Sequence, residues 1–175
     1  MKSMVFAIGI VFFWSHALYA EGTPQTAQAV LYDAQGKEIG NAALSEKNCC
    51  GGGVQIILKV HDFTPGTHAF HIHEVGKCEP PDFKSAGGHF NPHGKKHGLK
   101  NPEGAHAGDL QNLVVGSDGT AGQEWTASGV TLGEGQTSLF DSNGSSLVIH
   151  ANADDEVTDP AGNAGTRIAC GAITK

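Results

Sequence analysis

The 175-residue chain contains ten histidines, and six of them stand where side chains could bind metal ions. With one carboxylate that follows closely, these are His71, His73, His89, His97, His106, His150 and Asp109. His71 and His73 occupy alternate positions of one segment, so a strand would project both imidazoles from the same face. Imidazole suits copper and zinc, and a carboxylate can complete a zinc site. The pattern therefore predicts a metal site, whereas a lone histidine is more simply a polar or surface residue.

Short strands must position these side chains. β-branched and apolar runs bounded by Gly, Pro and Asp turns predict eight strands, at about 28–32, 39–45, 54–60, 67–74, 110–116, 123–127, 146–150 and 167–173. Two irregular segments, 75–108 and 152–166, interrupt them. Loops this long inside a domain are usually functional, and metal-ligand bonds could hold them. The pattern favours an all-β antiparallel sandwich or barrel.

Composition excludes several classes of protein. The 25 glycines argue against a helical bundle, because glycine destabilises helix interiors. Acidic residues outnumber basic ones, 18 to 11, and no basic stripe is present, so we expect no nucleic-acid partner. Arg167 is the single arginine.

The first twenty residues have the pattern of a signal peptide. Lys2 supplies a positive start, residues 4–14 form an apolar run too short to span a bilayer, and small residues allow cleavage after 17 or 20. A buried N-terminal helix is the alternative. We therefore expect residues 21–175 to form one exported domain, not bound to the membrane after export, with its cysteines in an oxidising compartment.

Several runs of residues resemble the copper/zinc superoxide dismutase family, in particular its bacterial periplasmic branch. They lie at 70–73, 88–92, 96–98, 106–110, 147–150, 153–155 and 162–171. The runs are long and follow the family's order over nearly the whole chain from about residue 27. The resemblance implies an eight-stranded antiparallel Greek-key β-barrel, immunoglobulin-like in its sandwich architecture, with two long functional loops. It also implies an enzyme that converts superoxide to dioxygen and hydrogen peroxide.

The resemblance assigns the metal ligands residue by residue. The implied ligands are His71, His73, His89 and His150 for one copper ion per subunit, and His89, His97, His106 and Asp109 for one zinc ion. His89 would bridge both ions and exchange a proton during copper redox cycling. Asp154 would link His71 to His97 from outside the ligand set and fix both rings. Arg167, with its fork of donors, would orient the superoxide anion, so Arg167 and His89 are the expected catalytic residues.

The four cysteines divide into two pairs. Cys78 and Cys170 correspond to the family's disulfide within the subunit; metal binding by these two residues is the alternative. Cys49 and Cys50 lie outside the family pattern, and a second bridge, a strained vicinal disulfide and an intermolecular link all remain open. His61, His68 and His93 have no implied role, although His93 lies within the implied zinc loop.

Attraction of the substrate is the main departure from the family. Many members carry lysine in the loop after the last copper ligand, whereas residues 151–166 hold four acidic residues and no lysine. Any steering of the anion would then have to come from elsewhere, such as Lys84, Lys95 or Lys96. We take Lys84 as the hypothesis, because it precedes His89 by five residues.

Two functions of other classes compete with this interpretation. A periplasmic copper/zinc binding or delivery protein could use the same scaffold without turnover, but such proteins tend to lose copper ligands or the arginine, and both are kept here. A zinc hydrolase would need an open zinc position, and the implied zinc ligands fill all four. The resemblance leaves both a monomer and a homodimer open.

Overall fold

In the described part of the chain, nine short strands pair antiparallel and form the body of the protein. A computed structural model describes residues 25–47 and 52–175. The strands are β1 (Thr26–Asp33), β2 (Glu38–Glu46), β3 (Val54–Val60), β4 (Gly66–His68), β5 (Phe70–His73), β6 (Leu113–Val115), β7 (Ala121–Ala127), β8 (Ser146–His150) and β9 (Arg167–Ala172). One turn of 3-10 helix, Lys84–Ala86, is the only helix in these ranges. The all-β antiparallel class is therefore confirmed.

Seven strands make one sheet in the order β5-β8-β9-β1-β2-β3-β7, and β4 and β6 make a second. β4 leads into β5 at one edge of the large sheet, and β6 packs beside β7 at the other edge. The small sheet therefore lies between the two edges, as in a curled, nearly closed barrel. β8 and β9, which follow long connections, insert between β5 and β1. That insertion brings the ends of β5 and β8 together.

The core explains why these segments form strands. Buried and exposed positions alternate along β1 and β3, so one face of each strand packs inward and the other meets solvent. Leu31, Ile56, Leu58 and Leu147 are completely buried in the central cluster. β5 and β8 are buried at every position, because the long loops cover the face that the barrel interior does not. A histidine on that covered face is therefore shielded from water.

The structure differs from the sequence prediction in detail. The single strand predicted at 67–74 is divided at Ala69, whose backbone N–H donates to Asn152 rather than to a strand, so nine strands replace eight. The strand predicted at 110–116 is shorter, because residues 110–112 belong to the loop that precedes it. The predicted signal peptide and the Cys49–Cys50 pair lie outside the described residues. In the ranges that are described, no helix has the length and apolarity to cross a bilayer.

Candidate metal centre

Two strands and one loop bring the predicted ligands together. β5 carries His71 and His73, and His150 ends β8, the neighbour of β5. Single bridges pair His71 with Asp109 and His73 with His89, so the irregular loop is laid along β5. The loop therefore covers the histidine face of β5 and delivers its own ligands to it.

The first cluster consists of four buried histidines. His71, His73, His89 and His150 each offer one nitrogen, and these four atoms lie within 4.8 Å of one another. The Nε2 atoms of His73 and His150 are 3.4 Å apart. His71 Nδ1 and His89 Nε2 are buried without any hydrogen-bond partner. Buried polar atoms are almost always satisfied, so two orphaned imidazole nitrogens that converge with two others fit a metal ion. Four imidazoles are a donor set that suits copper.

The second cluster shares His89 and adds a carboxylate. Oδ1 of Asp109 lies 2.9 Å from His89 Nδ1, 3.1 Å from His97 Nδ1 and 3.2 Å from His106 Nδ1. The other oxygen of Asp109 accepts from the backbone N–H groups of Gly98 and His106, which fixes the carboxylate. Three imidazoles and one carboxylate are a closed set of the kind that holds structural zinc. Since Nδ1 of His89 faces Asp109, its Nε2 is left for the first cluster.

Asp154 connects the two clusters through the far nitrogens of their rings. Its Oδ2 lies 2.7 Å from His71 Nε2, and its Oδ1 lies 3.0 Å from His97 Nε2. Both rings therefore turn Nδ1 toward a ligand cluster, His71 to the first and His97 to Oδ1 of Asp109 in the second. Asn112 holds Asp154 in turn: its Oδ1 accepts from the Asp154 N–H at 2.8 Å, and its Nδ2 donates to the Asp154 carbonyl at 2.9 Å. No motif or spacing in the sequence predicts this role of Asn112.

Burial and hydrogen bonds set the charges of the metal-free site. Burial, followed by repulsion from neighbouring cationic groups, lowers the pKa of His73 and brings the pKa of His150 to about 3. Burial also lowers the pKa of His89 to about 4, against the hydrogen bond to Asp109. For His97, burial is outweighed by the hydrogen bonds to Asp109 and Asp154, which raise its pKa to about 9. His73, His89 and His150 are therefore neutral at pH 7, as metal ligands must be.

The aspartates have the opposite behaviour. Burial alone would raise their pKa values, but hydrogen bonds from His106, His89 and His97 hold the pKa of Asp109 far below its usual range. Hydrogen bonds from His71 and His97 lower the pKa of Asp154 in the same way. Both carboxylates are therefore ionised, and each balances the positive charge that the site would carry.

Comparison with known proteins agrees with this pair of clusters. Residues 38–173 match the family model described as copper/zinc superoxide dismutase. The chain belongs to this family. It is 52% identical over 149 residues to "Superoxide dismutase [Cu-Zn] 2" of Aquifex aeolicus, covering 84% of this chain and 85% of that protein. It is 43% identical over 151 residues to "Superoxide dismutase [Cu-Zn]" of Caulobacter vibrioides, covering 85% of each.

Solved structures give the same result. A double mutant of a superoxide dismutase-like protein from Bacillus subtilis superposes with a TM-score of 0.81 at 43% identity, covering 85% of this chain and 97% of that chain. The copper/zinc superoxide dismutase of Brucella abortus superposes with a TM-score of 0.66 at 30% identity, covering 85% and 99%. This chain is therefore an enzyme of the copper/zinc superoxide dismutase class.

A cavity of about 410 Å³ opens onto the two clusters. We call this cavity the site mouth. Its lining includes four histidines, His73, His89, His106 and His150, together with Glu74, Pro160, Ala161 and Arg167. Arg167 is half-buried, and its Nη1 and Nη2 donate to the carbonyl oxygens of Phe83 at 2.7 Å and Gly87 at 2.6 Å. It is the only fixed cation in this lining. An anion that enters the site mouth therefore meets Arg167 and the histidine cluster together.

A disulfide joins the strand of this arginine to the loop before His89. Cys78 and Cys170 are bonded, with Cα atoms 5.5 Å apart, which confirms the predicted pair. Cys170 is buried in β9, three residues after Arg167, and Cys78 begins the loop that carries Phe83 and Gly87. The bond therefore ties the strand of the arginine to the loop that holds its guanidinium.

The lysines predicted to steer the substrate lie elsewhere. Lys84 pairs with Asp82 at 2.7 Å and lines a neighbouring groove that shares Arg167 with the site mouth, and Lys96 pairs with Asp159 at 3.3 Å. Lys95 is exposed in the loop. No lysine lines the site mouth in the described part of the chain. The pairing of Lys84 with Asp82 and its place outside the site mouth argue against steering by this residue, which stays a prediction to be measured.

Three histidines had no assigned role. His68 is buried, with Nδ1 3.0 Å from the carbonyl oxygen of His150 and Nε2 2.9 Å from that of Thr64. It therefore supports the backbone of a predicted copper ligand. His61 and His93 are exposed, which agrees with surface residues.

Proposed function

We propose that this chain is an exported superoxide dismutase with one copper and one zinc ion per subunit. The observation that carries the proposal is the pair of buried ligand clusters that share His89. Residues 1–20 would be the signal peptide, removed after 17 or 20, and residues 21–175 the mature periplasmic domain. The subunit would act alone or as a homodimer.

The atoms that converge in each cluster identify which of them would hold each ion. Copper would be held by His71 Nδ1 and by the Nε2 atoms of His73, His89 and His150. Zinc would be held by the Nδ1 atoms of His89, His97 and His106 and by Oδ1 of Asp109. Copper, when bound, supplies the one-electron chemistry by which one superoxide becomes dioxygen and a second, with two protons, becomes hydrogen peroxide.

The protein's own contribution begins with Arg167. Its guanidinium is held by two carbonyls, and it has further N–H donors for an anion in the site mouth. Superoxide is therefore bound and oriented without first ordering a flexible side chain. The fork of donors also favours a diatomic anion over a neutral molecule of similar size.

His89 is the residue placed to hold a proton beside the substrate. Nδ1 lies against Asp109, while the buried Nε2 has no protein partner, and His89 as a whole lines the site mouth. In the state in which Nε2 does not bind copper it could hold a proton, and the ring would not have to move to pass that proton to the peroxide product. Asp154 keeps His71 and His97 in the tautomers that this arrangement needs.

The proposal is tested with purified protein loaded with copper and zinc. We expect it to remove superoxide well above the rate of an equal amount of free copper, and zinc-only protein to be inactive. Tight binding of both metals without turnover would instead establish the metal-delivery function. Cleavage and export are tested separately, by the N-terminal sequence of protein recovered from the periplasm.

A further inference from the structure

One peptide group, between Gly87 and Gly88, contacts three side chains of the site mouth. Its carbonyl oxygen accepts from Arg167 Nη2 at 2.6 Å and lies 3.1 Å from Nδ1 of His73. Its N–H, on Gly88, donates to Oε1 of Glu74 at 2.9 Å. Glu74 therefore binds one end of a peptide whose other end orients both the arginine and a predicted copper ligand.

The local backbone explains why a side chain takes this N–H. Val75 donates to the carbonyl of Ala86, and Glu74 donates to the carbonyl of Gly88, at 3.1 and 3.0 Å. Gly87 lies between these two acceptors in the chain. Its φ is 73°, and its carbonyl takes no part in the hydrogen bonds to residues 74 and 75. Its carbonyl is thereby free to face His73 and Arg167. The N–H of the same peptide then bonds to the Glu74 carboxylate.

This peptide needs such a restraint because glycines flank it on both sides. Glycine populates several backbone conformations with little steric penalty, so a peptide between two glycines rotates more easily than any other. Rotation would remove one acceptor from Arg167 and from His73 at once. Glu74 also lies against Gly87: a Cβ there would be 2.8 Å from its Cγ and 2.9 Å from its Oε1. The carboxylate thus both bonds to the peptide and fills the space beside it.

We propose that Glu74 is a positioning residue that fixes Arg167 and His73 through the Gly87–Gly88 peptide. A carboxylate is a strong acceptor, and its bond to the N–H polarises the carbonyl that accepts from the arginine. The arrangement carries a penalty, because Glu74 also places a negative charge in the mouth that an anion must enter. The catalytic part of this inference rests on the proposed function, but the positioning part does not.

Three substitutions separate position from charge. Glu74→Gln keeps an acceptor and removes the charge; Glu74→Asp keeps the charge on a side chain one methylene shorter; Glu74→Ala removes both. Glu79→Ala, an exposed carboxylate on the same loop, is the matched control. Hydrogen exchange of the Gly88 amide and the NMR signals of the Arg167 guanidinium are measured in protein loaded with zinc and copper(I). These readouts do not depend on dismutation.

We expect Gly88 exchange to accelerate about threefold to tenfold in Glu74→Ala and Glu74→Asp, as loss of one hydrogen bond implies, with faster averaging of the Arg167 signals. Glu79→Ala should retain the wild-type values, and Glu74→Gln, whose neutral oxygen is a weaker acceptor, should lie between the wild type and Glu74→Ala. Unchanged exchange in Glu74→Ala, or a Glu74→Gln variant as perturbed as Glu74→Ala, would overturn the proposal. If Glu74→Ala does not fold, Glu74→Asp and Glu74→Gln still decide it.

Dismutation then tests the catalytic consequence. Glu74→Gln should be as active as the wild type or more so, because a repelling charge has left the site mouth. Glu74→Ala should be less active, even though it removes the same charge. Equal gains in both variants would show that Glu74 acts only as a charge and would overturn its positioning role. A wild type without activity would remove the proposed function and leave the exchange results to decide the positioning.

Discussion

Arg167 Nη2 and the carbonyl oxygen of Gly87 are 2.6 Å apart, and this carbonyl is also 3.1 Å from Nδ1 of His73. One backbone atom thus orients both the fixed cation of the site mouth and a predicted copper ligand. With Nη1 bonded to Phe83, the guanidinium is held at two points before any substrate arrives. The position of Arg167 is therefore set by the loop, and the loop is set by the disulfide.

Replacement of Arg167 tests whether the held guanidinium matters beyond its charge. Arg167→Ala should lower the rate of superoxide decay about tenfold to a hundredfold, because an oriented charged donor is lost. Arg167→Lys should recover only part of this loss, since an ammonium lacks the fork that bonds both carbonyls. The measurement is the rate per bound copper ion, with copper content determined for each variant. Full activity in Arg167→Ala would remove the residue from the mechanism.

Asp154 should control metal affinity while touching neither predicted ion. Asp154→Asn removes an acceptor from either His71 or His97, and we expect zinc affinity to fall about tenfold to a hundredfold. Competition with a coloured zinc chelator measures this affinity. Glu134→Gln removes an exposed charge outside the site mouth and is the control. An Asp154→Asn variant that binds zinc as the wild type does would show that the link has no orienting role.

The disulfide should stabilise both the fold and the arginine. Removing it in a Cys78→Ser, Cys170→Ser double variant opens a link across 92 residues and should reduce the free energy of unfolding by about 2–4 kcal/mol. The loop that carries Phe83 and Gly87 would loosen, so the rate of superoxide decay should also fall at temperatures where the variant is folded. Urea unfolding gives the first quantity. Unchanged stability and activity together would contradict this account.

The metal-free protein should be most stable near pH 6.5. Burial holds the pKa of His89 at about 4 and that of His150 at about 3, below the 6.5 of an ordinary histidine. Below pH 6.5 the unfolded chain therefore binds protons that the folded chain does not, so stability falls toward pH 4. The raised pKa of His97, about 9, contributes stability that is complete below pH 6.5 and lost as pH rises through 9.

Urea unfolding across this range checks the prediction. His150→Gln should flatten the acid side of the profile, and His93→Gln, at an exposed position, should leave it unchanged. Stability that stays constant or rises between pH 6.5 and pH 4.5 would show that these imidazoles are not buried in the neutral form.

Two substitutions test whether a lysine attracts superoxide to the site mouth. Lys84→Gln should change neither the rate of superoxide decay nor its dependence on ionic strength, because Lys84 is paired with Asp82 outside the site mouth. Ala161→Lys places a cation in the mouth lining and should raise the rate at low ionic strength, with the gain lost as salt increases. A slower Lys84→Gln variant with a flatter salt dependence would restore the hypothesis made from the sequence.

The sequence predicted the side chains of the site but not the backbone that holds them. Histidine spacing and motif resemblance identify His71, His89 and Asp154, whose chemistry is visible in their types. The carbonyl of Gly87 has no such signature, because every residue carries the same carbonyl and only the fold determines where it points. Glu74 is likewise one acidic residue among 18, and no motif in the sequence distinguishes it. The division of a predicted strand at Ala69 depended on a contact with Asn152, which is distant in the chain.

The most direct test of the dismutase site is the second-order rate constant for superoxide decay, per bound copper, in wild type and His150→Ala loaded with both metals. The shared-histidine site predicts fast decay in the wild type and loss of most of it in His150→Ala, while zinc binding is unchanged because His150 belongs only to the first cluster. Equal rates in the two proteins, or a wild-type rate no higher than that of free copper, would contradict it.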